Sequence, residues 1–321
     1  MKNPIKILFT FLTLFLVFAC NDDHLNNIDL GGNLVKNQNP SLILQTPGET
    51  GGLILPKEDY SKIPQLDYSS IKPLDGFELN QRSSIMTLNT PPVMDQGNEF
   101  SCVASAIGYC FTGYLRRNSG VYSNSLIPSP EYIYNNTKTG TACTSGAFAN
   151  TTFNFLLNNG SASQALMPYS SQNGCTNLYP PGYAPVKKSE KKFNPKTGQY
   201  YTYTYIYYPP FPKIFGFKWT TVPRNSEVIK ILVQNGYPIV IGFAVDENFD
   251  RQTTRAPYTY LSRGGNIRGN HFAVIMGYDD TKKVFKVQNS WGAQTHDKGY
   301  FYLPYELVAN LLEIYSYTNT K

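Results

Sequence analysis

Three residues in separate stretches of the chain carry side chains that together could attack a carbonyl carbon. Cys102 lies in the first turn of a predicted helix, where the helix dipole favours the reactive thiolate. His271 and Asn289 lie on predicted strands later in the chain. An imidazole can take a proton from a thiol, and an amide oxygen bound to the ring fixes its tautomer. These residue types indicate nucleophilic catalysis of an acyl transfer.

The residues around Cys102 resemble the nucleophile region of the papain-like cysteine peptidases. The resemblance implies that Gln96, six residues before Cys102, donates its side-chain amide to the oxyanion. The chain departs from the family pattern at Glu99, Phe100 and Val103, where a cysteine, a glycine and an aromatic residue are usual. We therefore expect the floor of the cleft to differ from that of the family.

Two further motifs follow in the order that the same family shows. The stretch 270–278 resembles its histidine strand, and the stretch 287–292 resembles its asparagine strand. The resemblance implies that His271 is the base, that Asn289 orients it, and that Trp291 shields their hydrogen bond from water. It also implies a set of substrate-binding residues beside these motifs: Ser145, Gly146, Asn270, Phe272 and Trp291.

The first 20 residues are typical of an export signal. An apolar run from Ile5 to Ala19 is too short for a membrane span, which needs about 20 residues. It ends at Cys20 in a pattern that resembles a bacterial lipobox, so we expect residues 1–20 to be a lipoprotein signal peptide. The prediction is an exported lipoprotein of the outer membrane, anchored by lipid on Cys20 and facing the periplasm or the cell exterior. An ordinary secretory signal with an incidental cysteine is the alternative.

The remaining cysteines have a competing interpretation, because an exported chain can form disulfides. Without Cys20 four cysteines remain, and two bridges that include Cys102 are the main alternative to a catalytic thiol. By resemblance, Cys143 precedes the glycine-rich wall of the family, and Cys175 stands in the place of a bridging cysteine. The resemblance thus implies a Cys143–Cys175 disulfide and leaves Cys110 as a buried thiol.

The cysteine and histidine spacings do not repeat, so we expect no metal site, and the predicted chemistry needs no cofactor.

The elements around these motifs predict a helical half followed by a β-rich half. Residues 21–80 show no sustained period and are interpreted as a tether or N-terminal extension, so the peptidase domain is expected at 81–321. Within it the tyrosine-rich stretch 181–215 predicts an inserted hairpin or flap. We expect an α+β, papain-like fold with the active cleft between a helical half and a β-rich, barrel-like half. Helices are predicted at 101–117, 129–136, 147–157 and 226–234, and strands at 238–245, 271–278, 284–289 and 299–303.

Composition narrows the class of protein. The 321 residues are 41% hydrophobic, which is enough for a packed core. The net charge of +6 comes from scattered lysines and arginines without a basic stripe, so we expect no nucleic-acid partner. The expected partners are a protein or peptide substrate and, through Cys20, the membrane, and we expect a monomer.

These observations predict a cysteine endopeptidase that hydrolyses peptide bonds through an acyl-enzyme thioester. Two alternatives remain open. The same residues could transfer the acyl group to an amine instead of water. A surface binding protein could also keep the fold and lose turnover, with Phe100 and Val103 blocking the cleft. A thiol probe separates an enzyme from a binding protein, because an activated Cys102 reacts faster than a buried thiol.

Overall fold

A computed structural model of the chain describes residues 48–74, 83–117, 122–170, 175–213 and 217–319. The predicted signal peptide at 1–20, including Cys20, lies outside these residues. So does much of the predicted extension at 21–80, and both assignments stay predictions. Among the residues described, no helix has the length and apolar character that crossing a bilayer requires.

The helices supply the first wall of the fold. Cys102 and Val103 form the start of a helix that continues as a π-helix, Ala104–Thr112, and then as α2, Gly113–Leu115, and we call the whole of it the central helix. Every residue of the π-helix is buried, as expected for a helix that is apolar on all sides. The other helices are α1 (Lys57–Tyr60), α3 (Pro130–Thr137), α4 (Ala149–Asn159), α5 (Ser226–Gln234) and α6 (Glu247–Thr253), and short 3₁₀ turns cover Tyr68–Ser70 and Tyr305–Asn310.

The β-rich half is a seven-stranded antiparallel sheet. Its strands are β2 (Ile85–Thr87), β6 (Phe217–Thr221), β7 (Ile239–Asp246), β8 (Ile267–Asp279), β9 (Val284–Gln288), β10 (Tyr300–Pro304) and β11 (Glu313–Asn319). They lie in the order β10-β9-β8-β7-β11-β6, and β2 pairs with β8 beside this path. Strands β7 and β8 are buried along most of their length because they are rich in β-branched and aromatic residues. Strand β8 thus places His271 inside the protein.

The central helix packs against β7 and β8, which brings the two halves together. Aromatic rings fill much of the interface between helices and sheet. Phe111 of the central helix contacts Phe153 of α4 and Tyr317 of β11, with ring centroids 5.8 and 5.5 Å apart. The predicted α+β class, with a helical half packed against a β-rich half, is therefore confirmed.

Two small sheets complete the fold. Strands β4 (Val186–Asn194) and β5 (Gln199–Tyr207) form the hairpin that the tyrosine-rich stretch predicts. Strands β1 (Gly52–Leu53) and β3 (Ala147–Phe148) pair in parallel, with Gly52 opposite Ala147. This second pairing brings a piece of the N-terminal extension onto the helical half, in front of Cys102.

Candidate active site

Cys102 lies at the start of the central helix and is completely buried, with 0% of its surface exposed. The backbone N–H groups of Phe272 and Gly51 lie near its sulfur and favour the thiolate. Burial nevertheless raises the pKa of the Cys102 thiol to about 12, although these N–H groups act in the opposite direction. The helix position predicts a thiolate, and the structure differs because the thiol is shut off from water.

His271 and Asn289 are brought together by neighbouring strands. His271 lies on β8, and Asn289 follows the last residue of β9, which pairs with β8. The ring nitrogen Nε2 of His271 lies 2.6 Å from Oδ1 of Asn289, while Nδ1 has no hydrogen-bond partner among the described residues. The amide oxygen can only accept, so Nε2 carries the proton and Nδ1 is the basic nitrogen.

The surroundings of the His271 ring are dry. The ring is completely buried, and the centroid of the Trp291 ring lies 4.7 Å from its own. Burial lowers the pKa of His271 to about 3, the hydrogen bond to Asn289 opposes this effect, and the charges of Arg268 and His296 add to it. In this state the imidazole is neutral, as is the thiol of Cys102.

Gln96 connects the loop before Cys102 to the loop after Asn289. Its backbone N–H donates to the Ser290 carbonyl over 2.8 Å, and its side-chain Oε1 accepts from Ser290 Oγ over 2.6 Å. Its side-chain Nε2 donates to the carbonyl of Glu99 at 2.8 Å and to that of Glu49 at 3.1 Å. The amide implied as an oxyanion donor is thus directed at a carbonyl oxygen of its own chain.

The Glu49 carbonyl belongs to a segment that runs through the cleft. We call residues 48–55 the strap. Its Glu49 carbonyl also accepts from Trp291 Nε1 at 3.0 Å, and its Gly51 N–H donates to the Asn270 carbonyl at 3.2 Å. At the far end Leu55 N–H donates to Glu313 Oε1 at 2.6 Å. The strap passes the buried thiol of Cys102, since the Gly51 backbone is near enough to influence its pKa.

The glycine-rich wall lies against the strap and next to a disulfide. Ala147 N–H donates to the Gly51 carbonyl at 3.1 Å, and a Cβ added to Gly146 would lie 2.8 Å from the same oxygen. A disulfide joins Cys143 to Cys175, and Cys102 and Cys110 are free thiols. Ser145 lies on the same turn, where its carbonyl accepts from Tyr134 Oη at 2.8 Å. Of the implied substrate-binding residues, Gly146, Asn270, Phe272 and Trp291 therefore lie against the strap, and Ser145 adjoins Gly146.

Glu99 is a site residue for which sequence reasoning assigned no role. It is 1% exposed, and its Oε2 lies 3.2 Å from Tyr169 Oη, which also donates to the Gln96 carbonyl at 2.8 Å. Burial raises the pKa of Glu99 to about 7, the charge of Glu131 adds to this, and Tyr169 and Lys138 oppose it. The only sign in the sequence that Glu99 could matter is that it stands where the family usually has a cysteine.

The same carboxylate lies close to the disulfide sulfurs. One oxygen of Glu99 and the sulfurs of Cys143 and Cys175 are all within 4.8 Å of one another. A disulfide sulfur carries no thiolate charge, so this group lacks the ligands that a zinc ion requires.

Comparison with known proteins gives matches over most of the chain. The profile of the papain family cysteine proteases matches residues 79–317. An uncharacterized peptidase C1-like protein of Acanthamoeba polyphaga mimivirus is 28% identical over 251 residues, which cover 75% of this chain and 74% of that protein. A cathepsin B-like protein of Giardia intestinalis is 24% identical over 263 residues, which cover 80% of this chain and 79% of that protein.

Solved structures show the same fold. Xylellain, a cysteine protease from Xylella fastidiosa, superposes with a TM-score of 0.56 at 21% identity, covering 87% of this chain and 100% of its own. A procathepsin B from Trypanosoma congolense gives a TM-score of 0.56 at 15% identity, covering 84% of this chain and 86% of its own.

Proposed function

Since the chain belongs to the papain family of cysteine proteases, we propose that it hydrolyses peptide bonds with Cys102 as nucleophile, His271 as base and Asn289 as the group that orients the histidine. The observation that carries the proposal is the hydrogen bond from His271 Nε2 to Asn289 Oδ1 at 2.6 Å. It leaves Nδ1 as the basic nitrogen, and the backbone N–H of Phe272, the residue after His271, favours the Cys102 thiolate.

The reaction follows from these positions. His271 takes the thiol proton, and the sulfur attacks the carbonyl carbon of the peptide bond. The oxygen gains negative charge, which the Gln96 side-chain amide and the Cys102 N–H stabilise. The C–N bond then breaks, the leaving amine takes the proton from His271, and the acyl group remains on the sulfur as a thioester. A water molecule that gives a proton to His271 attacks the thioester, releases the acid and restores the thiol.

The strap indicates where a substrate lies and how the enzyme is held closed. Its Glu49 carbonyl takes the place on Gln96 that the reacting carbonyl oxygen would occupy. Burial under the strap keeps Cys102 and His271 neutral, so the described state is a latent one. The strap must leave the cleft before a substrate can enter.

The strap also supports endopeptidase action. Along the strap, Glu49 is bonded to Trp291, Gly51 to Ala147 and Leu55 to Glu313. A cleft that accommodates a chain on both sides of the nucleophile can take an internal peptide bond. We therefore propose cleavage within chains rather than at their ends.

The test is hydrolysis of a protein substrate by the purified chain after limited proteolysis of the strap. We expect Cys102→Ala to abolish turnover and Cys110→Ala, which removes the other free thiol, to retain it. Turnover that survives Cys102→Ala would contradict the proposal. Adding an amine acceptor to the same assay tests acyl transfer, because transfer joins the acceptor to the acyl product and hydrolysis does not.

A further inference from the structure

The strap contains two adjacent glycines where it passes Cys102. A Cβ added to Gly51 would lie 2.2 Å from the carbonyl oxygen of Phe100 and 2.4 Å from its Cβ. These atoms belong to or adjoin the backbone, and the Phe100 N–H is itself bonded to the Cys143 carbonyl at 3.0 Å. The backbone beside the disulfide is held in place, so this position of the cleft has no room for a side chain.

The next position is closed by an aromatic ring. A Cβ added to Gly52 would lie 2.5 Å from Cδ2 of Phe272. The ring cannot retreat, because Gly242 of β7 lies behind it and a Cβ there would be 2.8 Å from the ring atom Cζ. Phe272 is completely buried between the two glycines. A side chain at the second position would have to displace a packed core residue.

These two positions require glycine only because there is no room for a side chain. Neither Gly51 nor Gly52 is among the residues with a positive φ, so their backbone conformations are open to any residue type. The restriction ends at the next residue, since Leu53 and Ile54 are half-buried with ordinary side chains. The cleft is therefore narrow over two successive residues and wider beyond them.

We propose that the cleft selects peptide substrates with two successive glycines on the side of the scissile bond that lies against Ala147, and that Phe100 and Phe272 impose this selection. The inference rests on the proposed function. When the reacting carbonyl takes the place of the Glu49 oxygen on Gln96, the residue next to it on the Ala147 side lies where Thr50 lies now. The two residues beyond that one, which we call the first and second positions, lie where Gly51 and Gly52 lie. The substrate class is a polypeptide with an accessible Gly-Gly step.

The two positions differ in a way that a variant can separate. At the first position the obstacle is mainly the backbone oxygen of Phe100, which no substitution of Phe100 removes. At the second position the obstacle is the Phe272 side chain, which Phe272→Ala removes. The variant should accept larger residues at the second position and still require glycine at the first.

The experiment uses the full chain carrying Gly51→Leu, whose strap cannot fit the cleft, and a mixed peptide library whose cleaved bonds are located by mass spectrometry. We expect glycine to be preferred by about tenfold to a hundredfold at both positions. Phe272→Ala, or Phe272→Leu if the alanine variant does not fold, should lose the preference at the second position only. Phe193→Ala, on the exposed hairpin, is the matched control and should change neither preference.

The outcomes separate the two proposals. Cleavage with bulky residues accepted as readily as glycine, or a Phe272→Ala profile identical to its parent, would overturn the inference and leave the peptidase intact. No cleavage and no labelling of Cys102 by a thiol-reactive epoxide would overturn the proposed function, and this inference with it.

Discussion

At the residue scale, the side chains proposed for catalysis are already in position in the described state, but burial keeps Cys102 and His271 uncharged. His271 and Asn289 are already oriented, and Gln96 already directs an amide into the cleft. The pKa of Cys102 is raised to about 12 and that of His271 is lowered to about 3, because both side chains are buried. Under the proposed mechanism, release of the strap would admit water and favour the charged forms of Cys102 and His271, without any change in how Asn289 holds His271.

Gln96→Ala tests the oxyanion donor. Removal of one such donor costs about a hundredfold to a thousandfold in kcat, because the amide binds the oxygen most strongly when it is charged. We expect this loss in steady-state hydrolysis with little change in KM. Ser290→Ala, which removes only the hydroxyl bound to Gln96 Oε1, should cost less. Equal kcat values for Gln96→Ala and the native chain would contradict the assigned role.

Glu99 gives a prediction for stability against pH. Its folded-state pKa is raised from 4.5 to about 7, so the folded chain binds this proton more tightly than the unfolded chain. The free energy of unfolding should therefore fall as pH rises from about 4.5 to about 7. Glu99→Gln should remove up to about 3 kcal/mol of this dependence, since one pKa unit corresponds to about 1.4 kcal/mol.

Urea unfolding at several pH values measures this dependence. Glu306→Gln, at an exposed carboxylate, is the control and should leave the slope unchanged. A Glu99→Gln variant whose stability follows the native pH dependence would show that the carboxylate is already ionised in the folded chain.

At the scale of elements, the strap depends on glycines that let it lie directly on the cleft. Gly51→Leu places a side chain where Phe100 backbone atoms lie. We expect the strap to leave the cleft and Cys102 to react with iodoacetamide at least about tenfold faster. Glu58→Leu, on the exposed face of α1, is the control of equal size and should not change the rate. Equal rates for both variants and the native chain would show that the strap does not protect the thiol.

The strands and helices around the site could be predicted from sequence, and the strap could not. Helix α5 matches its predicted bounds of 226–234, and β8 contains the predicted strand 271–278. Their apolar periods are local and long enough to be recognised. The strap has no such period, and its position depends on hydrogen bonds to Asn270 and Ala147, which are distant in sequence. Sequence motifs therefore indicated the nucleophile and its base but not what covers them.

At the scale of the whole molecule, the domain combines a closed cleft with a predicted membrane anchor. The lipid on Cys20, the export of the chain, its position at the outer membrane and its monomeric state stay predictions, since Cys20 lies outside the described residues. A lipid anchor beside a latent peptidase would confine activity to the surface on which the strap is released.

Cys20→Ala tests the anchor. Covalent lipid adds about 0.8 kcal/mol of membrane affinity for each buried CH₂, so its loss should move the chain from the membrane fraction to the soluble fraction. Metabolic labelling with a fatty acid should mark the native chain and not the variant. The matched control is Cys110→Ala, which should remain labelled and membrane-bound. Labelling that survives Cys20→Ala would place the lipid elsewhere or exclude it.

The most direct test of the central claim is covalent labelling of the opened enzyme. The Gly51→Leu chain is treated with an epoxide inhibitor selective for papain-like thiols, with and without His271→Ala, and the adduct is located by mass spectrometry. We predict a single adduct on Cys102 that forms rapidly only when His271 is present, while Cys110 stays unmodified inside the fold. A folded chain that forms no adduct on Cys102, or forms it equally fast without His271, would contradict the account.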